Sequence, residues 1–448
     1  MNPYPSYKES GIEWIVEIPN HWDIKRIKYT SSFQLSGVDR ITSETEINVS
    51  ICHYPDVYNN ESIFRRTKIS KGTCTPQELD KFCLKLGDIL ITKDSESPSD
   101  IGVPCYVEEN IENTVCGYHL GQYRISDKMS PKYVFRFIQS GFVQSYFETE
   151  SNGVTRFGLG KPSLENLELV IPPLQEQQQI SNYLEHKTQQ IDSLIEKTQQ
   201  KIELLKEQRT SLINQVVTKG LNPDVEMKDS GVEWIGEILR GWEVSKFNFY
   251  IEIRHGHQFR EYDFTDEGIK IIKITQLHKN GYLDISNCSF IDHSRFEEFS
   301  EIVIEENDTL MCLTGGTIGK IIRVGKVDEP LLQNYRVGHF SSKDTDKIID
   351  DYIFWIMTSE VINGQIFYEI RETGQPNIGM EDFGKMKICL PSIKEQQQIV
   401  DHLDKETIKI DSTIEKETQR IDLLKEYRQS LISEVVTGKV DVRDEVVV

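Results

Sequence analysis

Basic charge, paired cysteines and long apolar runs are all scarce in this chain of 448 residues. Lys and Arg number 51 against 72 Asp and Glu, a formal net charge of −21. No long stretch of the sequence is net basic. Attraction to nucleic acid depends on Lys and Arg displacing counterions from phosphates. A DNA-binding face here therefore has to be a local basic patch on an acidic body, with a basic partner providing most of the general affinity. The eight cysteines (Cys52, Cys74, Cys83, Cys105, Cys116, Cys288, Cys312 and Cys389) form no C-x-x-C pair and have no neighbouring H-x-x-x-H. Neither a disulfide framework nor a zinc site is indicated, and the thiols are expected to be buried or incidental. No run approaches the ~18 apolar residues of a membrane helix, and Met1 to Ser10 lacks the apolar centre of a secretion signal, so the expected location is the cytoplasm.

Catalytic signatures are missing too. Thr314-Gly315-Gly316-Thr317-Ile318-Gly319-Lys320-Ile321 resembles a phosphate loop, but GxxxxGK[ST] needs Gly where Thr314 stands and Ser or Thr where Ile321 stands. A glycine-rich hairpin or DNA-facing loop is the better reading. His255-x-His257 has no third ligand nearby, so a polar loop or DNA contact is preferred to a metal, and no metal site is expected. No G-x-S-x-G elbow, H-E-x-x-H, kinase signature or Asn/Asp-Pro-Pro-Tyr/Phe tetrapeptide of amino-methyltransferases is present. The chain reads as non-catalytic.

What the sequence does contain is a duplication. Gly11-Ile12-Glu13-Trp14-Ile15 with Trp22 returns 220 residues later as Gly231-Val232-Glu233-Trp234-Ile235 with Trp242. Glu176-Gln177-Gln178-Gln179-Ile180 returns as Glu395-Gln396-Gln397-Gln398-Ile399, and 26 of the 45 positions of 174–218 are identical in 393–437. The stretches between diverge, although Gly87-Asp88-Ile89-Leu90 answers Asn307-Asp308-Thr309-Leu310, and Tyr123-Arg124 is matched with Tyr335-Arg336. A period this long is a duplicated domain with its connector, not a solenoid.

Each repeated segment reads as a helix of ~45 residues, roughly 65 to 70 Å long. Both lack Gly and Pro, follow Pro172-Pro173 or Pro391, and stop at Lys219-Gly220 or Gly438. Leu184, Ile191, Ile195, Ile202, Leu205, Arg209 and Leu212 fall on an a/d seam that also takes Thr188 and Thr198. Leu403, Ile410, Ile414, Ile421, Leu424, Arg428 and Leu431 repeat it. This narrow stripe predicts a coiled coil, antiparallel by preference, rather than two helices packed flat on their own domains. The fold class expected is α+β: two mixed α/β domains joined by two long helices in an antiparallel coiled coil, with an internal pseudo-two-fold repeat. The predicted divisions are 1–172, 173–220, 221–390, 391–440 and a tail at 441–448. Short strands are predicted over Ile269 to Thr275, Ile302 to Ile304, Thr309 to Leu313 and Lys320 to Val324, with helices over Pro131 to Phe147 and Ile348 to Ile366.

These motifs resemble the specificity subunit of type I restriction-modification enzymes over essentially the whole chain. The resemblance is carried by GIEWIVEIPNHW and GVEWIGEILRGW, the two EQQQI helix starts, the Leu-Leu-Lys-Glu-x-Arg-x-Ser-Leu-Ile core of both helices, and the GDILIT and NDTLMC strands. It implies two target-recognition domains that each read half of a split DNA site. The paired helices then set the spacing and hold two methyltransferase subunits, which restriction and translocation subunits join. S-adenosylmethionine, ATP and Mg are implied on those partners, with no cofactor on this chain. Half-sites one turn, about 34 Å, apart lie on one face of the duplex, as such a reader requires. A rival reading is a non-catalytic coiled-coil scaffold with two protein-binding domains.

Candidate DNA contacts follow from residue type, since Arg, Lys, Gln and Asn pair with base edges. In the first domain they are Arg65, Arg66, Lys68, Lys71, Lys93 and Arg156. In the second they are Arg254, His255, His257, Gln258, Lys273, Gln276, Lys279, Thr314, Thr317 and Gln375. Gly160 and Gly379 are expected to be backbone turns. Arg209 and Arg428, on the seam, are candidates for the helix-pair or methyltransferase interface. No common recognition core can be aligned across residues 36–80.

Overall fold

The computed structural model describes residues 2–222, 224–278, 281–373 and 377–445, the side chains of 371–373 excepted. The chain forms two compact units, residues 1–199 with 418–448, and residues 200–417. These units divide both long helices, where the sequence reading set each helix apart. The reason is burial: Ile180, Tyr183, Leu184 and Val435 belong to the apolar core of the first unit, and Val216, Ile399 and Leu403 to that of the second.

The first unit is organised by a sheet in the order Ser31–Leu35, Leu120–Ile125, Asp88–Thr92, Pro104–Val107, Ser62–Ile63. Its central strand alternates with period two between two cores. Ile89 and Ile91 join the helices on one face, and Leu90 joins the second cluster on the other. A three-stranded sheet lies on that second side, Ile47–Cys52 pairing parallel with Thr114–Cys116 and antiparallel with Ser70–Cys74.

The second unit has a four-stranded sheet in the matching order Ile251–His255, Val337–Ser342, Thr309–Cys312, Ile321–Arg323. Met311 faces one core, while Leu310 and Cys312 face the other. In its second sheet, Ile269–Ile272 pairs parallel with Leu331–Gln333 and antiparallel with Ser289–Ile291. Residues 36–80 thus have a counterpart after all, because Ile47–Cys52 corresponds to Ile269–Ile272. Strands this short carry little sequence signal, and only their pairing reveals the match.

Three local expectations are corrected. The helices expected over 131–147 and 348–366 are each two, Pro131–Ile138 with Gly141–Glu150 and Asp350–Thr358 with Glu360–Thr373, broken where Ser140 and Ser359 adopt extended backbone. Gly160 and Gly379, expected as backbone turns, are N-caps of short helices with extended backbone. Ile89 and Thr309, equivalent in the two strands, pair with Tyr123 and Phe340, so Tyr335-Arg336 corresponds to Tyr118-His119 and not to Tyr123-Arg124.

The repeated motifs hold the long helices, Leu174–Lys219 and Ile393–Val436, at their starts. Trp22 donates its indole N–H to Glu176 at 3.1 Å, and Trp242 donates to Glu395 at 3.2 Å. Gln177 Nε2 donates to the Pro172 carbonyl while its Oε1 accepts the Ser130 amide, and Gln396 does the same with Pro391 and Ile349. Both helices end on a left-handed glycine, Gly220 or Gly438, the usual device for closing a helix C-terminus.

Seam residues lie inward or half-buried, and several polar ones are tied within the chain. Arg209 grips Asp411 through Nε (2.8 Å) and Nη2 (3.2 Å), and Lys201 meets Glu417 at 2.5 Å, so within the second unit the two helix segments run in opposite directions. In the first unit Arg428 grips Asp192 through Nε (2.9 Å) and Nη2 (3.2 Å), and also binds Glu61. Thr198 and Thr407 donate to their own helix backbones, and Thr188 accepts from Arg136. Among the described residues no helix is long and apolar enough to cross a membrane. No group of three or more His, Cys, Asp or Glu among them could hold a metal ion.

Candidate nucleic-acid interface

In each unit, five loops meet at one end of the two sheets, and the backbone bonds that gather them recur. In the first unit the amide of Tyr118 donates to Val38, Gly117 to Cys52, Lys93 to His119, and Leu159 to Lys93. In the second, Tyr335 donates to His257, Asn334 to Ile272, Leu313 to Arg336, and Ile378 to Leu313. The same scaffold therefore presents different side chains. Asp94 stands where Thr314 does, and His119 where Arg336 does.

In the first unit these loops enclose a cavity of about 1110 Å³ lined by Arg40, His53, Tyr54, Tyr58, Asp94, Tyr118, His119 and Arg156, among others. Tyr54 and Tyr58 stack at 5.5 Å between centroids, and the Tyr118 and His119 rings lie 3.9 Å apart. His119 has φ +72°, a conformation a non-glycine residue adopts only when its surroundings fix it. Its Nδ1 lies 2.5 Å from Asp94, which also meets Lys93 at 3.3 Å. Burial, followed by the Arg40 charge, pushes the His53 imidazole below its ordinary pKa.

Of the sequence candidates in this unit, Arg156 lines the cavity, and Lys93 does not line it but contacts two residues that do, Asp94 and the Tyr118 ring. Arg65, Arg66, Lys68 and Lys71 do not line it. They lie on a separate exposed stretch, where Arg65 donates to the Asn110 carbonyl, Arg66 sits over Phe64, and Lys71 donates to Ser50.

In the second unit His257, Gln258, Thr314 and Thr317 stand on the gathered loops, and His255 ends the strand that leads into them. The His257 ring packs against Phe259 and Phe299, both at 5.0 Å, and Thr314 bridges Asn377. Three candidates serve structure. Gln276 is buried, accepting from the Lys273 amide and donating to Asn287. Arg254 donates to the Val303 carbonyl. Lys273 donates to Ser289 and lies over the Phe264 ring. Lys279 and Gln375 lie outside the described residues. Sequence reasoning missed Tyr54, Tyr118, His119, Tyr335 and Arg336. The signal that finds the last four is the position just before the strands Leu120–Ile125 and Val337–Ser342, which the mistaken match of Tyr123-Arg124 concealed.

The family described as the type I restriction modification DNA specificity domain matches residues 44–204 and 240–426, once in each repeat. The chain belongs to this family. Specificity subunits of type I restriction-modification systems are non-catalytic DNA-recognition proteins. The chain is 27% identical over 304 residues to the type I restriction enzyme MjaVIII specificity subunit of Methanocaldococcus jannaschii, covering 67% of this chain and 68% of that protein. Against the putative MjaX specificity subunit of the same organism it is 22% identical over 98% of both chains. Two solved structures share the fold. One, from work on complex assembly and conformational transition of the type I R-M system, has a TM-score of 0.63 at 14% identity and covers 94% of this chain and 99% of its own. The HsdS subunit of Thermoanaerobacter tengcongensis has a TM-score of 0.51 at 13% identity, with coverage of 94% and 98%.

Proposed function

We propose that this specificity subunit reads a bipartite DNA site in the cytoplasm, one half with the loop end of residues 1–172 and the other with that of 221–390. The observation that carries this reading is the repeated loop scaffold bearing different side chains, since one backbone frame with altered base-edge groups is what two different half-sites call for. The exposed bases Arg65, Arg66, Lys68 and Lys71 suit phosphate contact, and Arg156, His255, His257, Gln258, Thr314 and Thr317 suit the grooves.

The helices of 173–220 and 391–440 form, in this reading, one antiparallel coiled coil that sets the spacing and docks two methyltransferase subunits. The crossed ion pairs support it: Arg209 repeats as Arg428 and Asp192 as Asp411, so Arg209–Asp411 and Arg428–Asp192 are the reciprocal contacts of a pseudo-two-fold pair. Restriction subunits join the complex, and S-adenosylmethionine, ATP and Mg act on the partner subunits. With a net charge of −21 the isolated chain binds DNA weakly, and the partners close the electrostatic gap.

The test is modification-sensitive sequencing of DNA from cells that carry this chain with its methyltransferase subunit, against cells lacking only this chain. The expected result is a split motif with N6-methyladenine in both halves, present only with the chain, of which exchanging residues 221–390 alters one half. No chain-dependent motif, despite an active methyltransferase and a confirmed complex, would favour a protein-binding scaffold instead.

A further inference from the structure

Position 119 in the first domain and position 336 in the second share one backbone place and hold side chains prepared for base edges in different ways. His119 is set by Asp94. The carboxylate can only accept at Nδ1, 2.5 Å away, so the tautomer with Nδ1–H faces Asp94 and leaves Nε2 as an acceptor on the cavity wall, and the tilted Tyr118 ring 3.9 Å away and the positive φ leave the ring little freedom to turn. Such an acceptor takes the exocyclic amine of adenine or cytosine in the major groove.

Arg336 is set by its neighbour. Its Nε donates to the Tyr335 hydroxyl at 2.7 Å and its guanidinium lies 5.3 Å from the Tyr335 ring centroid. That contact uses Nε alone and leaves both Nη groups, the fork that matches O6 and N7 of guanine. The residue is exposed, while its amide is anchored by Asn334 at 3.3 Å and its carbonyl by Leu313 at 3.0 Å. An arginine whose base is anchored and whose fork is free loses less freedom on meeting a base than an untethered one.

We infer that His119 and Arg336 are the specificity-determining residues of their respective domains, His119 selecting an amine-bearing base and Arg336 a guanine. This rests on the reading of the chain as a two-domain DNA reader and adds which residues choose. Neither residue is among those that carry the resemblance to the family, and neither lies in the motifs shared by the two repeats.

The experiment compares H119A, D94N and R336A with the unaltered chain, each assembled with the methyltransferase, by the same modification-sensitive sequencing. R336A is expected to relax one guanine in the half-site of residues 221–390, with discrimination there falling roughly tenfold or more. The other half should stay intact. H119A and D94N should relax one position in the opposite half only. Retention of the full motif by both alanine variants overturns the inference, as does a wild-type half-site for residues 221–390 without a specified G·C pair. A missing motif with the unaltered chain would instead sink the function proposed above.

Where an alanine variant abolishes methylation, the complex is titrated against duplexes carrying each base at each motif position. Uniform loss of affinity with an unchanged thermal midpoint also overturns the inference, because it marks a phosphate contact. If the midpoint falls, R336K and H119N are measured in the same way. R336K keeps charge and reach, while H119N keeps a polar group at the Nδ1 place but loses Nε2, and Asn tolerates positive φ.

Discussion

Trp22 and Glu176, 154 positions apart, meet in a buried hydrogen bond of 3.1 Å that fastens the start of the first long helix to the opening segment of the chain. The same carboxylate accepts from Tyr4 at 2.6 Å and faces His21 at 2.9 Å. Replacing Glu176 with Ala strands the Tyr4 hydroxyl and Trp22 indole without acceptors. The expected loss is about 2 to 3 kcal/mol of unfolding free energy, measured by denaturant titration of the full chain. Glu395→Ala, at a half-buried site where two of the three donor groups belong to the neighbouring Ser392, should lose about 1 kcal/mol.

Arg428 and Arg209 answer each other in the repeat but not in strength. Arg428 is 17% exposed and binds both Asp192 and Glu61, whereas Arg209 is 29% exposed and faces an Asp411 that is half in solvent. Double-mutant cycles should give about 0.2 to 1 kcal/mol for Arg209–Asp411 and about 1.5 to 3 kcal/mol for Arg428 with its two carboxylates. Equal values would contradict the difference in burial.

Glu61 couples stability to pH. Burial raises its pKa, but the guanidinium groups of Arg136 and Arg428 outweigh that and hold the carboxyl below its ordinary value. A depressed folded pKa means stability that is present above the unfolded value, about 4.3, and lost as pH falls below it. Unfolding measured from pH 7 to 3 should therefore show less acid loss for Glu61→Gln than for the unaltered chain. The variant should also be less stable at pH 7.

Gly256 and Gly316 predict opposite outcomes on neighbouring loops. A Cβ at Gly256 would lie 1.9 Å from the Gln333 carbonyl oxygen, which is backbone and cannot yield, while one at Gly316 meets nothing within 4 Å. Gly256→Ala should cost about 2 kcal/mol or more in the thermal stability of the chain and degrade the second half-site. Gly316→Ala should stay within about 0.5 kcal/mol.

The long helices were legible because a seven-residue period over many turns has no competing explanation, and the repeat of Trp22 and Glu176 as Trp242 and Glu395 marked the clamps without showing that they touch. The strands around Ile47–Cys52 were not legible, since their partners are distant in sequence and each offers only a few alternating residues. Residue type pointed to Gln276 and Arg254 as readers, yet the polar groups that suit base edges equally suit buried loop ties, and only burial separates the two. His119 and Arg336 escaped notice because a single His or Arg beside a tyrosine carries no pattern until strand register aligns the two domains.

The crossed helix ties also constrain how the two copies can change over generations. Arg209 is held by an aspartate from the other repeat, as is Arg428. A charge reversal in one copy therefore meets a like charge encoded some 200 codons away in its sibling, while Asp94, whose place Thr314 takes in the second copy, is tied to His119 and Lys93 of its own unit. Change along the connectors is thus coupled between the copies, whereas at the loop ends Asp94 and His119 answer to each other within a single unit.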